Sequence, residues 1–278
     1  MKPRYFYDER TGRAWESLSK RLKRDGLLPD NQEVKGFRFA YIPVWAAALL
    51  IVSFTVFFAV RSFRNFSADT VSITNDQGNS AFVATLQDGS AVYLSKGASI
   101  TYPRKFSKGT REVSLKGDAY FQVSPDKDHP FVVQTDLINI EVLGTSFRIN
   151  SAVGSEQTIS VESGSVMVTL RSNGITANTV AGETVLVRGE ELEKSLTVDV
   201  RQFGRFLERM RFKDARLEDV AGIINRNFDG PEIMIDPSVK DRLLTATFSD
   251  NTPESMARLI TLAMDLSYRR EGEKIIIF

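Results

Sequence analysis

The chain has 278 residues, 42% of them hydrophobic, which is room for one large or two modest folded domains and excludes global disorder. Its formal net charge of +1 is split: residues 1–38 carry ten Lys/Arg against six Asp/Glu and residues beyond 60 carry 26 against 29, too even a balance for a nucleic-acid-binding stripe. With no cysteine there is no disulfide framework, thiol nucleophile or thiolate metal site, and the single histidine, His129, precedes Pro130 in a polar turn and reads as a loop residue rather than a triad member.

Residues 1–38 form a short N-terminal segment with one amphipathic helix expected over 11–25. Thr11 is the expected N-cap, Trp15, Leu18 and Leu22 fall at i, i+3 and i+7 on one face, and Gly26 is the stop. A helix of about four turns is marginal alone in water, so this apolar face needs a partner surface, whether the chain itself, a membrane or another protein. Lys20, Arg21, Lys23 and Arg24 serve either as a solvated face or as a contact for anionic lipid or a partner.

Residues 39–60 contain no charged side chain. About 22 residues at a rise of 1.5 Å span roughly 33 Å, so a single transmembrane helix is expected here. Arg38 and Arg61 bracket the stretch, and Tyr41 and Trp45 sit at headgroup depth. It is too long, and starts too far from the N-terminus, for the apolar region of a cleaved signal peptide. The 20 residues before it carry Lys20, Arg21, Lys23, Arg24, Lys35 and Arg38, and the 20 after it only Arg61 and Arg64, which places the N-terminus in the cytoplasm.

Residues 61–80 are polar and read as a linker. From 81 to 200 short runs such as Ala91–Leu94, Glu112–Leu115, Tyr120–Val123, Phe131–Gln134, Ile138–Leu143, Thr158–Val161, Val166–Leu170 and Thr184–Val187 alternate with turn signals such as Asp88-Gly89, Asn173-Gly174 and Ala181-Gly182. An all-β domain, an antiparallel sandwich or roll, is expected.

Residues 205–278 change pattern again and contain a repeat. Phe212, Asp214, Glu218, Ala221 and Ile224 recur 36 residues later as Phe248, Asp250, Glu254, Ala257 and Ile260. Each unit reads as strand, turn and helix. In the second, Thr252 is the N-cap, Pro253 fits N1, and Met256, Leu259, Ile260 and Ala263 make the apolar stripe. Extended runs at Glu232–Asp236, Leu266–Arg270 and Ile275–Phe278 complete a small α+β domain with two βαβ-like halves.

Several motifs stand in a fixed order: Leu86-Gln87-Asp88-Gly89-Ser90-Ala91-Val92-Tyr93-Leu94, Tyr102-Pro103 with Phe106, Arg111-Glu112-Val113, Gly117-Asp118-Ala119-Tyr120-Phe121-Gln122-Val123, His129-Pro130-Phe131-Val132-Val133 and Val142-Leu143-Gly144-Thr145-Ser146-Phe147. Singly they are weak and together specific. In order and spacing the chain resembles the FecR-type transmembrane anti-sigma regulators, in the form common among Bacteroidetes, over about residues 80–278. The last domain is similar to the short signalling domains of secretins and TonB-dependent receptors. Asp118 and Gln122 stand where that family usually has Glu, Phe203 and Phe206 replace a Trp-containing approach to the last domain, and the N-terminal segment is shorter than in many members. From the residues themselves, Gly89, Gly117 and Gly144 are expected to serve turns or bulges, Tyr120, Phe121, Phe131 and Phe147 to fill the sheet core, and Glu112, Asp118 and Glu141 to occupy exposed strand positions.

The resemblance implies a regulator of the bacterial inner membrane with a cytoplasmic N-terminus and a periplasmic C-terminus. Its partners would be an extracytoplasmic-function sigma factor inside and the signalling domain of a TonB-dependent receptor outside. For the inner contact the residues expected are Trp15, Leu18, Leu22, Arg21 and Arg24. No Walker loop, dinucleotide fingerprint, HExxH motif or metal-ligand cluster is present, so neither catalysis nor a cofactor is expected, nor direct nucleic-acid binding. The competing class is a membrane-tethered periplasmic scaffold or carbohydrate-binding β-domain.

Overall fold

The computed structural model describes residues 9–26, 69–76, 78–151, 156–249 and 252–278. The chain divides into two compact units, Met1–Ser62 and Phe63–Phe278. In the first, the described residues form one helix, α1 (Glu9–Arg24), ending in a turn. No helix among the described residues is long and apolar enough to cross a membrane; the span expected at 39–60 lies outside them.

The second unit is a two-sheet sandwich with an α+β part on one face. In the first sheet the spatial order is β1 (Thr70–Thr74), β4 (Ser99–Pro103), the first half of β5 (Arg111–Gln122), β6 (Phe131–Gln134), β7 (Ile138–Val142), β10 (Ser165–Leu170) and β11 (Thr176–Val180). The second runs β13 (Glu191–Leu196), β12 (Glu183–Arg188), β9 (Gln157–Ser163), β8 (Ser146–Ser151), the second half of β5, β3 (Ala91–Leu94) and β2 (Ala81–Thr85), then β14 (Met210–Arg216) and β16 (Leu243–Phe248). Neighbours are antiparallel except β5 with β6 and β2 with β14. The polar stretch read as a linker holds a strand: Val71 and Ile73 alternate with Thr70, Ser72 and Thr74, and β1 pairs with β4 from Thr70↔Pro103 to Thr74↔Ser99.

Strand β5 explains why Glu112–Leu115 and Tyr120–Val123 read as separate runs. Its first half pairs with β4 and β6 in one sheet, and its second half with β3 and β8 in the other. Gly117 sits at the switch with φ +91°, and a Cβ there would lie 2.9 Å from the Ala98 Cα, so the corner admits no side chain. Gly144 is held more tightly still, at φ +152° with a virtual Cβ 2.7 Å from the Pro125 Cα. Gly144→Ala should destabilise the domain by about 2–3 kcal/mol, from backbone strain plus the displaced proline. The check is a lower urea midpoint at unchanged m-value.

Between the sheets lies one core of Val92, Leu94, Ile100, Val113, Leu115, Phe121, Phe131, Ile140, Phe147, Ile149, Val161, Val168 and their neighbours. Phe121 stacks on Phe147 at 5.1 Å and meets Phe131 edge-on at 6.4 Å. A second core covers the outer face of the second sheet, where Ala81, Val83, Ala91, Tyr93 and Tyr120 join Phe203, Phe206 and the C-terminal elements. Tyr120 therefore fills this outer core, and Phe121, Phe131 and Phe147 the inner one. Strands β2 and β3 are buried on both faces, so their sequences AFVA and AVYL are continuous apolar runs instead of alternating ones.

The C-terminal part contains α2 (Arg201–Glu208), α3 (Leu217–Asn227), β15 (Glu232–Ile235), α4 (Pro253–Met264), β17 (Tyr268–Glu271) and β18 (Lys274–Ile277). The repeated order of strand and helix is present as β14-α3 and β16-α4. The strands of each half, however, lie in two different sheets. β14 and β16 pair with each other and extend the sandwich, with Phe212 and Phe248 in edge contact at 5.8 Å, whereas β15, β18 and β17 form a separate three-stranded sheet. Thr252 caps α4 by accepting from Ser255 N, with Pro253 in the first turn. The buried face of α4 is Pro253, Met256, Ala257, Ile260 and Thr261. The expected stripe is corrected at two positions: Leu259 is 44% exposed and Ala263 is exposed, because the face that meets the sheets is turned toward Ala257 and Thr261.

Candidate functional site

Helix α1 carries the residues expected to meet a partner. It begins at Glu9, so Thr11 lies in the first turn and is not the N-cap. Its end is as read: Asp25 N donates to Arg21 O at 2.9 Å, Gly26 N donates to Lys23 O at 3.3 Å, and Gly26 takes φ +69°. At 100° per residue, Trp15, Leu18 and Leu22 fall within about 60° of each other, while Arg21 and Arg24 lie on the flank and far side. Leu18 is 48% exposed, Leu22 is half-buried, and Arg21 and Arg24 are exposed. Trp15 is in the helix, with its side chain outside the described residues. Arg21, Lys23 and Arg24 occupy the last turn, where cations complement the helix dipole, and Lys20 pairs with Glu16 at 3.4 Å across one turn. The helix thus presents an uncovered leucine beside a basic surface.

In the sandwich the motif residues converge on Arg111, which is 4% exposed. Its Nη1 donates to Asp88 Oδ2 at 2.7 Å and to Ser124 O at 2.9 Å, and its Nε donates to His129 O at 2.9 Å. The guanidinium lies 5.4 Å from the Phe131 ring centroid. Asp88 also accepts from Ser90 N and Ser90 Oγ, and Ser90 Oγ accepts from Ser124 N. Three motifs distant in sequence are tied together here: the Asp88-Gly89 hairpin, Arg111 and the His129-Pro130-Phe131 entry to β6. His129 itself sits in a turn in which Asp126 accepts from the His129 ring at 2.8 Å and from the backbone of Asp128 and His129. The histidine hydrogen bond holds the Asp126 carboxyl below the usual carboxylate range.

A second polar cluster joins the sandwich to the C-terminal part, and sequence reasoning did not find it. Tyr93 OH donates to Gln122 Oε1 at 2.9 Å, Asn227 Nδ2 donates to Tyr93 OH at 3.0 Å, and Gln122 Nε2 donates to Asn227 Oδ1 at 2.5 Å. Tyr120 OH donates to Glu162. Burial pushes both phenols up, and at Tyr120 the Glu162 carboxylate adds to the shift. Phe203 and Phe206 of α2 close over Tyr120 at 5.9 and 5.8 Å. Asp118, expected at an exposed position, is instead part-buried: Arg148 grips it through Nε at 2.9 Å and Nη2 at 2.8 Å and reaches Gln202 with Nη1 at 3.0 Å. Glu141 is likewise half-buried, and Glu112 is exposed as read. The one signal available was that Asp118, Gln122, Phe203 and Phe206 all depart from the expected pattern; nothing marked Asn227. Among the described residues no group of three or more His, Cys, Asp or Glu is placed to hold a metal ion.

By architecture the chain is a β-sandwich protein with an α+β module docked on one sheet. Residues 73–167, roughly a third of the chain, match the family described as FecR protein, so the chain carries a FecR domain. That family is regulatory and non-enzymatic. Two crystal structures of a putative anti-sigma factor from Parabacteroides distasonis are similar to the chain at 26% identity, covering 75% of this chain and 98% of that one with a TM-score of 0.46. No curated protein matches.

Proposed function

We propose that the chain is a single-pass anti-sigma regulator of the bacterial inner membrane. Helix α1 faces the cytoplasm and binds an extracytoplasmic-function sigma factor, residues 39–60 span the bilayer, and the FecR domain with its α+β module receives a signal outside from a TonB-dependent receptor. The observation that carries the reading is the joining of a FecR domain to a basic amphipathic helix through a stretch of 22 residues with no charge. The signal step is release or retention of the sigma factor, which needs binding surfaces and no reacting group. A segment of residues 1–38 should retain the cognate sigma factor in a pull-down, and failure of the intact segment to do so would reject the inner half of the reading.

Topology has its own test. A reporter that works only outside the cytoplasm, fused after Val60, should be fully active, because six flanking Lys/Arg precede the apolar stretch and two follow it. Full activity of a cytoplasm-only reporter at residue 80 would overturn the orientation. Deleting 205–278 is a poor test of the receptor contact, since Val83, Ala91, Tyr93 and Tyr120 are covered by those elements and would be laid bare. Exposed-surface substitutions separate that contact from folding.

A further inference from the structure

Strand β14 accompanies β2 for two residue pairs, Met210↔Ala81 and Arg211↔Phe82. It then turns away: its register on β16 shifts between Phe212 and Ala215, and Asp214 takes the left-handed conformation at φ 51°. β2 runs on to Thr85 with no strand paired on that side among the described residues. Ala81 N donates to Arg209 O at 2.8 Å, and the alternation of a strand turns the backbone groups of Val83 and Thr85 the same way. A cleft of about 280 Å³ opens at this place, lined by β2 from Phe82 to Thr85 and by Tyr102, Ala215 and Asp219. Beside it the Thr85 hydroxyl is enclosed without a partner. An adjoining cleft of about 550 Å³ follows β1 from Ser72 to Thr74 and shares Ile73, Phe82, Lys213 and Asp214 with the first.

We propose that this groove receives an extended segment of a partner polypeptide, which adds to β2 where β14 leaves it. The occupant follows from continuity: β14 already makes the first two pairings of this ladder, and beyond them β2 continues along the cleft for three residues that no strand among the described residues pairs on that side. Main-chain groups in a row are satisfied by another extended backbone, whereas a helix has spent its own donors and acceptors internally. The walls set the side-chain pattern. One row of the incoming strand meets Ile73, Phe82 and Tyr102 and should be apolar, and the other meets Lys213 and Asp219, of opposite charge, and should be polar without a strong net charge. This surface is independent of which compartment or receptor the function above assigns.

The test uses the full-length chain in lipid nanodiscs and a phage-displayed library of linear ten-residue peptides. Enriched peptides should alternate apolar and polar residues, and a synthetic copy should slow amide exchange at Val83–Thr85 at least tenfold. Lys213→Trp, which fills the groove from an exposed position, should weaken that peptide at least tenfold at unchanged melting temperature, and Ser72→Trp on the opposite wall serves should the first variant fold poorly. Enrichment of helical peptides, no enrichment, protection confined to other edges such as β13 or β17, or a self-associated dimer that alone occludes β2 would each overturn the proposal.

Discussion

Replacing Arg111 by alanine should destabilise the FecR domain by about 3–5 kcal/mol, because it removes one partner from a buried ion pair and leaves the other uncompensated. Asp88 is only 14% exposed, and the carbonyls of Ser124 and His129 lose their donor in the same step. Against a total stability of about 5–15 kcal/mol for a domain, that loss brings the fold close to its limit. The measurement is equilibrium urea unfolding, with Arg111→Met, Asp88→Leu and the pair of substitutions completing a double-mutant cycle. The pair should be less destabilised than the two single variants summed, since an apolar pair leaves no stranded charge. Additivity within about 0.5 kcal/mol would show that Arg111 acts through packing on Phe131 alone.

On the function proposed above, Trp15→Ala should weaken binding of the sigma factor by roughly 30- to 1,000-fold, equivalent to about 2–4 kcal/mol for truncation of an aromatic anchor. The spacing places Trp15 on the face of Leu18 and Leu22, of which Leu18 is 48% exposed. Leu18→Ala and Leu22→Ala should cost less, and Arg21→Ala and Arg24→Ala should mainly alter association rate and salt dependence. In a sigma-dependent reporter strain Trp15→Ala should misregulate the reporter while the protein remains in the membrane at its normal level. Unchanged regulation would reject the docking face. Loss of membrane-surface affinity with intact sigma binding would instead assign the helix to lipid, where the same residues enter the interface and the cations meet anionic headgroups.

Local pattern determined a large part of this protein from sequence alone. Short apolar runs bounded by turn signals place β3 and β6 with their observed ends, Thr252-Pro253 marks the start of α4, Gly26 the end of α1, and the repeat at an offset of 36 marks two strand-helix units. These are properties of neighbouring residues: side-chain alternation, capping geometry and left-handed backbone at glycine are decided within a few positions along the chain. The FecR motifs were likewise legible, although the reason for them was not. That Asp88, Arg111 and His129 form one buried junction depends on three strands meeting, and no local signal encodes which hairpin an arginine will reach.

Only the tertiary structure decided where the C-terminal part goes. Phe203 and Phe206 cover Tyr120, β14 pairs with β2, and Asn227 closes the network with Tyr93 and Gln122, so the outer face of a sandwich sheet became a second core. The same step explains the misreadings. Leu259 and Ala263 are left out of the buried face and Asp118 is drawn in beside Arg148, because burial is fixed by what arrives from a distance and not by the periodicity of the segment itself. Strand β14 illustrates both levels at once: Phe212 and its repeat partner Phe248 announce a pair of strands, but the register shift between Phe212 and Ala215, with Asp214 left-handed, is seen only once β14 is paired with β16.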